Sequence, residues 1–89
     1  MNNIFNNLTD SLNKEFKKFD LDEDVRLSVS KLDEYDLQIN NLVKYNKEDF
    51  FTELKDKIVK KIEESQIFET VDKNNIGFIN LILNHNFLV

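Results

Sequence analysis

The chain has 89 residues, with 12 Lys+Arg against 17 Asp+Glu and a formal net charge of −5; that suffices for one core burying roughly 60% of the unfolded surface, not for a deep substrate pocket. No Cys, one His and one Gly exclude disulfides, zinc–thiolate centres, Cys nucleophiles, multi-His metal sites and glycine-rich phosphate loops. No apolar run nears the roughly 18–20 residues of a membrane span, and Met1–Leu8 has neither region of a signal peptide, so the expectation is a single cytosolic, cofactor-free binding or accessory domain over 1–89.

Ile4, Phe5, Leu8, Leu12, Phe16 and Phe19 recur at spacings of three and four, which predicts an amphipathic helix over about 3–19. Thr9, Asp10, Ser11, Lys14, Glu15 and Lys17 fall on its other face. An acidic turn, Asp20–Asp24, follows. Val25, Leu27 and Val29 then alternate with Arg26, Ser28 and Ser30, the period of a half-buried strand. Residues 33–45 carry two patterns at once. Tyr35, Ile39, Leu42 and Val43 fit a helical stripe with Asp33 or Asp36 as N-cap, whereas Tyr35, Leu37 and Ile39 alternate as a second strand pairing with 25–30 would. A short helix is the favoured expectation.

Asn46 followed by Asp49 resembles a capping box. Phe50, Phe51, Leu54, Ile58, Val59 and Ile62 then predict a helix over about 47–65, with Glu53–Lys57 and Asp56–Lys60 paired on its exposed face. Ile67–Val71 and Ile76–Leu83 read as the strands of a hairpin that turns at Asp72-Lys73-Asn74-Asn75. Asn84-His85-Asn86 breaks the second strand. Phe87-Leu88-Val89 is an apolar end that reads as a cut, or as a segment that docks on a partner. The expected architecture is α+β: a small antiparallel or mixed sheet with helices packed on one face, in the order α-β-α-α-β-β.

The net charge sits in one place. Asp20–Asp36 holds seven acids against Arg26 and Lys31, and acids and lysines balance elsewhere. Asp20, Asp22 and Asp24 have the spacing that opens a calcium loop, but Val25 stands where such a loop needs Gly and Lys31 where it needs Glu. The expectation is a solvated acidic turn and no metal. His85 reads as a surface turn residue, and no nucleophile–base arrangement accompanies it. Lys55, Lys57, Lys60, Lys61 and Lys73 are interleaved with acids, so they read as a solvated helix face and not as a phosphate-binding patch. Phe78 and Asn80 differ from these. Two residues apart on a strand, they share a face, where a base can stack on the ring while the amide reads its edge.

The segment Gly77-Phe78-Ile79-Asn80-Leu81-Ile82-Leu83, followed four residues later by Phe87-Leu88, resembles the G-F-I-N-x-x-L…F-L signature that closes the N-terminal additional domain of arginyl-tRNA synthetases. Asp36-Leu37-Gln38-Ile39-Asn40 resembles that domain's D-Y-Q-x-N element, with Leu37 in place of Tyr. The family usually has Gly-Asp before that Tyr, where this chain has Tyr35-Asp36. It usually has G-P-G before F-I-N, where this chain has Asn75-Ile76-Gly77. The resemblance covers nearly all of the chain.

It implies a compact α+β domain that precedes a catalytic domain and touches the outer corner of arginine tRNA at the D-loop. Phe78 and Asn80 match the family's D-loop contacts, as stacking ring and reading amide; Gln38 and Asn40 match the other motif, in a supporting role. Helix capping is the alternative for Asp36 and Asn40, and core packing against the long helix is the alternative for Phe78. The implied partners are arginine tRNA and the synthetase's catalytic domain, with neither membrane nor DNA. The chain itself takes no cofactor and is no enzyme alone; the parent is an ATP-dependent class I ligase. The competing reading is a free-standing copy of the domain that serves as a protein–protein interaction module.

Overall fold

The computed structural model describes residues 3–84. Helix α1 is Asn3–Lys18, strand β1 Leu27–Val29, strand β2 Leu37–Ile39, and a single 3-10 turn covers Val43–Tyr45; helix α2 is Phe51–Ser65, strand β3 Phe68–Lys73 and strand β4 Ile79–Leu83. The four strands form one antiparallel sheet in the order β1-β2-β4-β3. Two hairpins, β1-β2 and β3-β4, thus lie side by side and meet at the β2–β4 pairing. Both helices cover one face, where Leu8, Leu12 and Phe16 of α1 and Leu54, Ile58 and Ile62 of α2 meet Ile39, Ile79 and Leu81 of the sheet. The apolar end Phe87-Leu88-Val89 and His85 lie outside the described residues.

The helical stripes do what their spacing predicts, and both helices stop by the same device. Asp20 and Gln66 each adopt a φ of 60°. At the end of α1 the Asp20 N–H donates to the Lys17 carbonyl at 3.0 Å and the Leu21 N–H to the Phe16 carbonyl at 3.1 Å. This pair of bonds is that of a Schellman motif. Neither position is glycine, so each bears the steric cost of a side chain in the left-handed region. Replacing the exposed Gln66 by Gly should therefore raise unfolding free energy by about 1 kcal/mol, visible as a rise of roughly 4–8 °C in the thermal midpoint.

Three local expectations give way to tertiary contacts. At 33–45 the strand pattern prevails over the favoured helix: Leu37-Gln38-Ile39 pairs with β1 on one side and β4 on the other. A helix there would leave both neighbouring ladders without partners. Asn46 and Asp49 do not form a capping box. The Asn46 amide instead donates to the Ile76 carbonyl at 3.3 Å, residues 46–50 continue as turns, and α2 starts at Phe51 with no side-chain cap at Phe50. The β3–β4 turn lies further along than expected. Strand β3 runs on to Lys73, and Ile76, read as the start of a strand, is an exposed turn residue.

Two charged residues expected on solvent faces are buried. Glu15 is 3% exposed; its Oε2 accepts from Lys18 Nζ at 3.4 Å while its buried Oε1 has no partner. Lys55 leaves the helix surface to donate from Nζ to the Asn74 carbonyl at 3.2 Å, with its ammonium 5.1 Å from the Phe51 ring centroid. Asp56, expected to pair with Lys60 along the helix, stands 3.9 Å from Lys73 of β3.

The acidic turn has a structural task. Asn41, buried just after β2, accepts from the Arg26 N–H at 3.0 Å and donates to the Asp24 carbonyl at 2.8 Å and to Glu23 Oε1 at 3.2 Å. Asn13 of α1 accepts from the Val25 N–H at 2.7 Å. Glu23 also receives Lys44 Nζ at 3.0 Å and the Tyr45 hydroxyl. Burial raises the pKa of the Glu23 carboxyl, but the hydrogen bonds from Tyr45, Lys44 and Asn41 outweigh it and hold the group below the ordinary carboxylate range. Burial, and then the carboxylate beside it, push the Tyr45 phenol up to about 12.

Candidate functional site

Ile79 and Leu81 of β4 are buried under the helices, so Asn80 and Ile82 between them face the other way. The same alternation turns Gln38 of β2 outward between Leu37 and Ile39. Register then sets a row across the outer face: Ser28 opposite Gln38, Gln38 opposite Asn80, and Asn80 opposite Asp72. Asn40, exposed just after β2, and Phe78, half-buried just before β4, each lie two residues along the chain from Gln38 and Asn80. Of the four residues singled out in the sequence, the structure joins Gln38 and Asn80, and places Asn40 and Phe78 just beyond the paired ends of the same two strands.

Their partners define the chemistry on offer. Gln38 Nε2 donates to Asn80 Oδ1 at 2.9 Å, which fixes both amide planes. That leaves the Asn80 NH₂ as donor and the Gln38 Oε1 as acceptor, side by side. Among the described residues, half-buried Phe78 is neither in the core cluster nor one of the side chains packed against it. Asp36 does not cap a helix. Its Oδ2 accepts from the Leu83 N–H at 2.8 Å and so prolongs the β2–β4 ladder. Nor does Asn40 serve as a side-chain cap; its carbonyl accepts from the Val43 N–H at 3.4 Å as the 3-10 turn begins.

The surface carries little positive charge. Arg26 is exposed beyond Ser28 on β1, Asp72 and Asp36 flank the amide pair, and the lysines of α2 belong to the helix layer on the opposite side of the sheet. Such a surface suits directed contacts with a base better than capture of phosphate. An amphipathic face reads as solvated in the sequence, and Lys57 and Lys60 bear that out: both are exposed, in a shallow groove beside Asp49, Glu53 and Asp56.

Over this arrangement, the family model of the arginyl tRNA synthetase N-terminal domain matches residues 2–83. The chain belongs to that family. A search of curated proteins finds no match. Membership makes the chain an accessory domain of an aminoacyl-tRNA synthetase, with a tRNA-binding accessory role in protein biosynthesis. Among the described residues no helix is long and apolar enough to cross a membrane.

Two residues of this surface escaped the sequence reading. Tyr35, which fits both a helical stripe and a strand alternation in the sequence, donates its hydroxyl to Asp72 of β3, the residue opposite Asn80. That hydrogen bond, with burial and the charge of Asp72 after it, raises the pKa of the Tyr35 phenol. Asn74 was read only as turn chemistry, yet its Oδ1 accepts from the N–H groups of Ile76, Gly77 and Phe78 at 3.1, 3.0 and 3.0 Å. Periodicity places Tyr35 on a stripe or an alternating strand without pointing to Asp72, and no periodicity marks Asn74. The Asn at the start of an N-N-x-G stretch was the one available signal for Asn74.

Proposed function

We infer that the outer face of the sheet contacts the D-loop of arginine tRNA and so supports aminoacylation by a catalytic domain elsewhere in the synthetase, in the cytoplasm. Phe78 is the platform on which an unpaired base stacks, and the Asn80 amide reads the base edge. Gln38 orients Asn80 through the bond between their amides, and Asn40 supports the rim. The observation that carries this reading is the bond between the Gln38 and Asn80 amides on the helix-free face, with Phe78 two residues before Asn80 and, among the described residues, outside the core cluster. The acidic balance of the domain accords with it. A tethered domain needs only a few directed contacts, because the tether supplies effective concentration and the rest of the enzyme supplies phosphate affinity. ATP-dependent chemistry falls to that other domain.

An NMR titration of the labelled chain with arginine tRNA tests the reading. Shifts should gather at Phe78, Asn80 and Gln38 and weaken with a tRNA whose D-loop base is removed. Phe78→Ala should reduce affinity roughly 5- to 150-fold, on about 1–3 kcal/mol per stacked base, while the sheet stays folded. Shifts spread over the lysines and abolished by salt would overturn the reading, since non-specific phosphate attraction behaves so.

A further inference from the structure

We propose that Asn74 is the positioning residue for Phe78. The inference rests on the RNA-reading role of Phe78 proposed above and extends it to the loop behind the ring. Phe78 precedes β4 and lies outside its ladder, so the sheet alone does not fix it. One side-chain oxygen does: Asn74 Oδ1 gathers three consecutive N–H groups, the last being that of Phe78. The Asn74 N–H donates to the Phe78 carbonyl at 3.2 Å, so both polar groups of the Phe78 backbone bond to one residue.

Asn74 is itself held from behind. Its carbonyl receives the buried Lys55 ammonium from α2, and Asn46 holds the Ile76 carbonyl from the segment before that helix. An ordered loop presents its ring to a base without first surrendering conformational freedom, and a loosened one loses affinity by that cost. The chemistry required at position 74 is an acceptor of this reach. Asp preserves it and Ala removes it.

Amide hydrogen exchange and arginine-tRNA affinity, measured on the 89-residue chain and its variants, separate the possibilities. Asn74→Ala should abolish protection of the Ile76, Gly77 and Phe78 amides while Ile79 and Leu81 stay protected. Its tRNA affinity should fall most of the way to that of Phe78→Ala, and Asn74→Asp should restore both readouts. Lys55→Met, which keeps an apolar stem, should weaken loop protection in the same residues to a smaller extent. If Phe78→Ala loses affinity but Asn74→Ala does not, the positioning role is overturned and the reading of Phe78 stands. If Phe78→Ala leaves affinity unchanged, the reading falls and this inference falls with it. Loss of protection at Ile79 and Leu81 as well would make Asn74 a residue of general stability and overturn the assignment.

Discussion

Replacing Gly77 by Ala should cost about 2–4 kcal/mol of stability, more than most single methyl groups remove or add. Two effects combine. Gly77 has a φ of 121°, a conformation that strains any residue with a Cβ, by roughly 1–3 kcal/mol. A Cβ there would also stand 3.0 Å from the Val43 Cα and N and 3.1 Å from the Leu42 carbonyl carbon. These are backbone atoms of the 3-10 turn, and they cannot swing aside as a side chain does. Urea unfolding of Gly77→Ala beside Asn75→Ala makes the measurement. The exposed Asn75 should change stability by no more than about 0.5 kcal/mol, and an equally small change at Gly77 would show that the loop and the 3-10 turn are not in contact in solution.

The second large effect is a loss of stability at high pH that belongs to Tyr45. Its pKa is raised in the folded chain, to about 12, against about 10 when unfolded. Its contribution is therefore complete below pH 10 and disappears as pH rises through 12, a decline of about 1–2 kcal/mol once solvent screening of the part-exposed phenol is allowed for. Tyr45→Phe should flatten that limb of the stability curve, with denaturant midpoints followed from pH 9 to 12. A wild-type limb identical to that of the variant would mean that neither burial nor Glu23 raises the pKa of the phenol. The opposite limb carries the sign expected of Glu23. Its folded pKa is lowered, so its contribution is present above the ordinary carboxylate value and is lost as pH falls through the folded one.

These residues also mark where sequence reasoning succeeds. The stripes Leu8-Leu12-Phe16 and Leu54-Ile58-Ile62 define the helices because a helix buries one side whatever it packs against. The outward turn of Asn80 was legible for the same reason, being a property of one strand. Residues 33–45 were not. Both periods are present there, and the choice is made by β4, some forty residues away, through the pairing of Leu37 with Leu81 and Ile39 with Ile79. The apparent capping box failed in a similar way, since the Asn46 amide is claimed by Ile76. Glu15 and Lys55 sit at polar positions of their helices, and only the packing of neighbouring elements encloses them. The Gln38–Asn80 bond needs the register between two hairpins, which no local pattern encodes. At Asn75-Ile76, where the resembled family has Gly-Pro, the loop backbone bonds to the Asn74 side chain, a contact that the departure from the family pattern does not announce.

The seam between the two hairpins has a consequence during synthesis. Gln38 and Asn80 are 42 residues apart, and at roughly 5–20 residues per second the ribosome needs about 2–8 s to pass from one to the other. Throughout that interval β2 can pair with β1 on one side only, and the backbone of Leu37 and Ile39 lacks the strand that completes its ladder. An unpaired apolar edge is the feature most prone to capture a wrong strand. Mutations that delay the docking of β4 should therefore lower the yield of soluble chain before they lower the affinity of the chains that do fold.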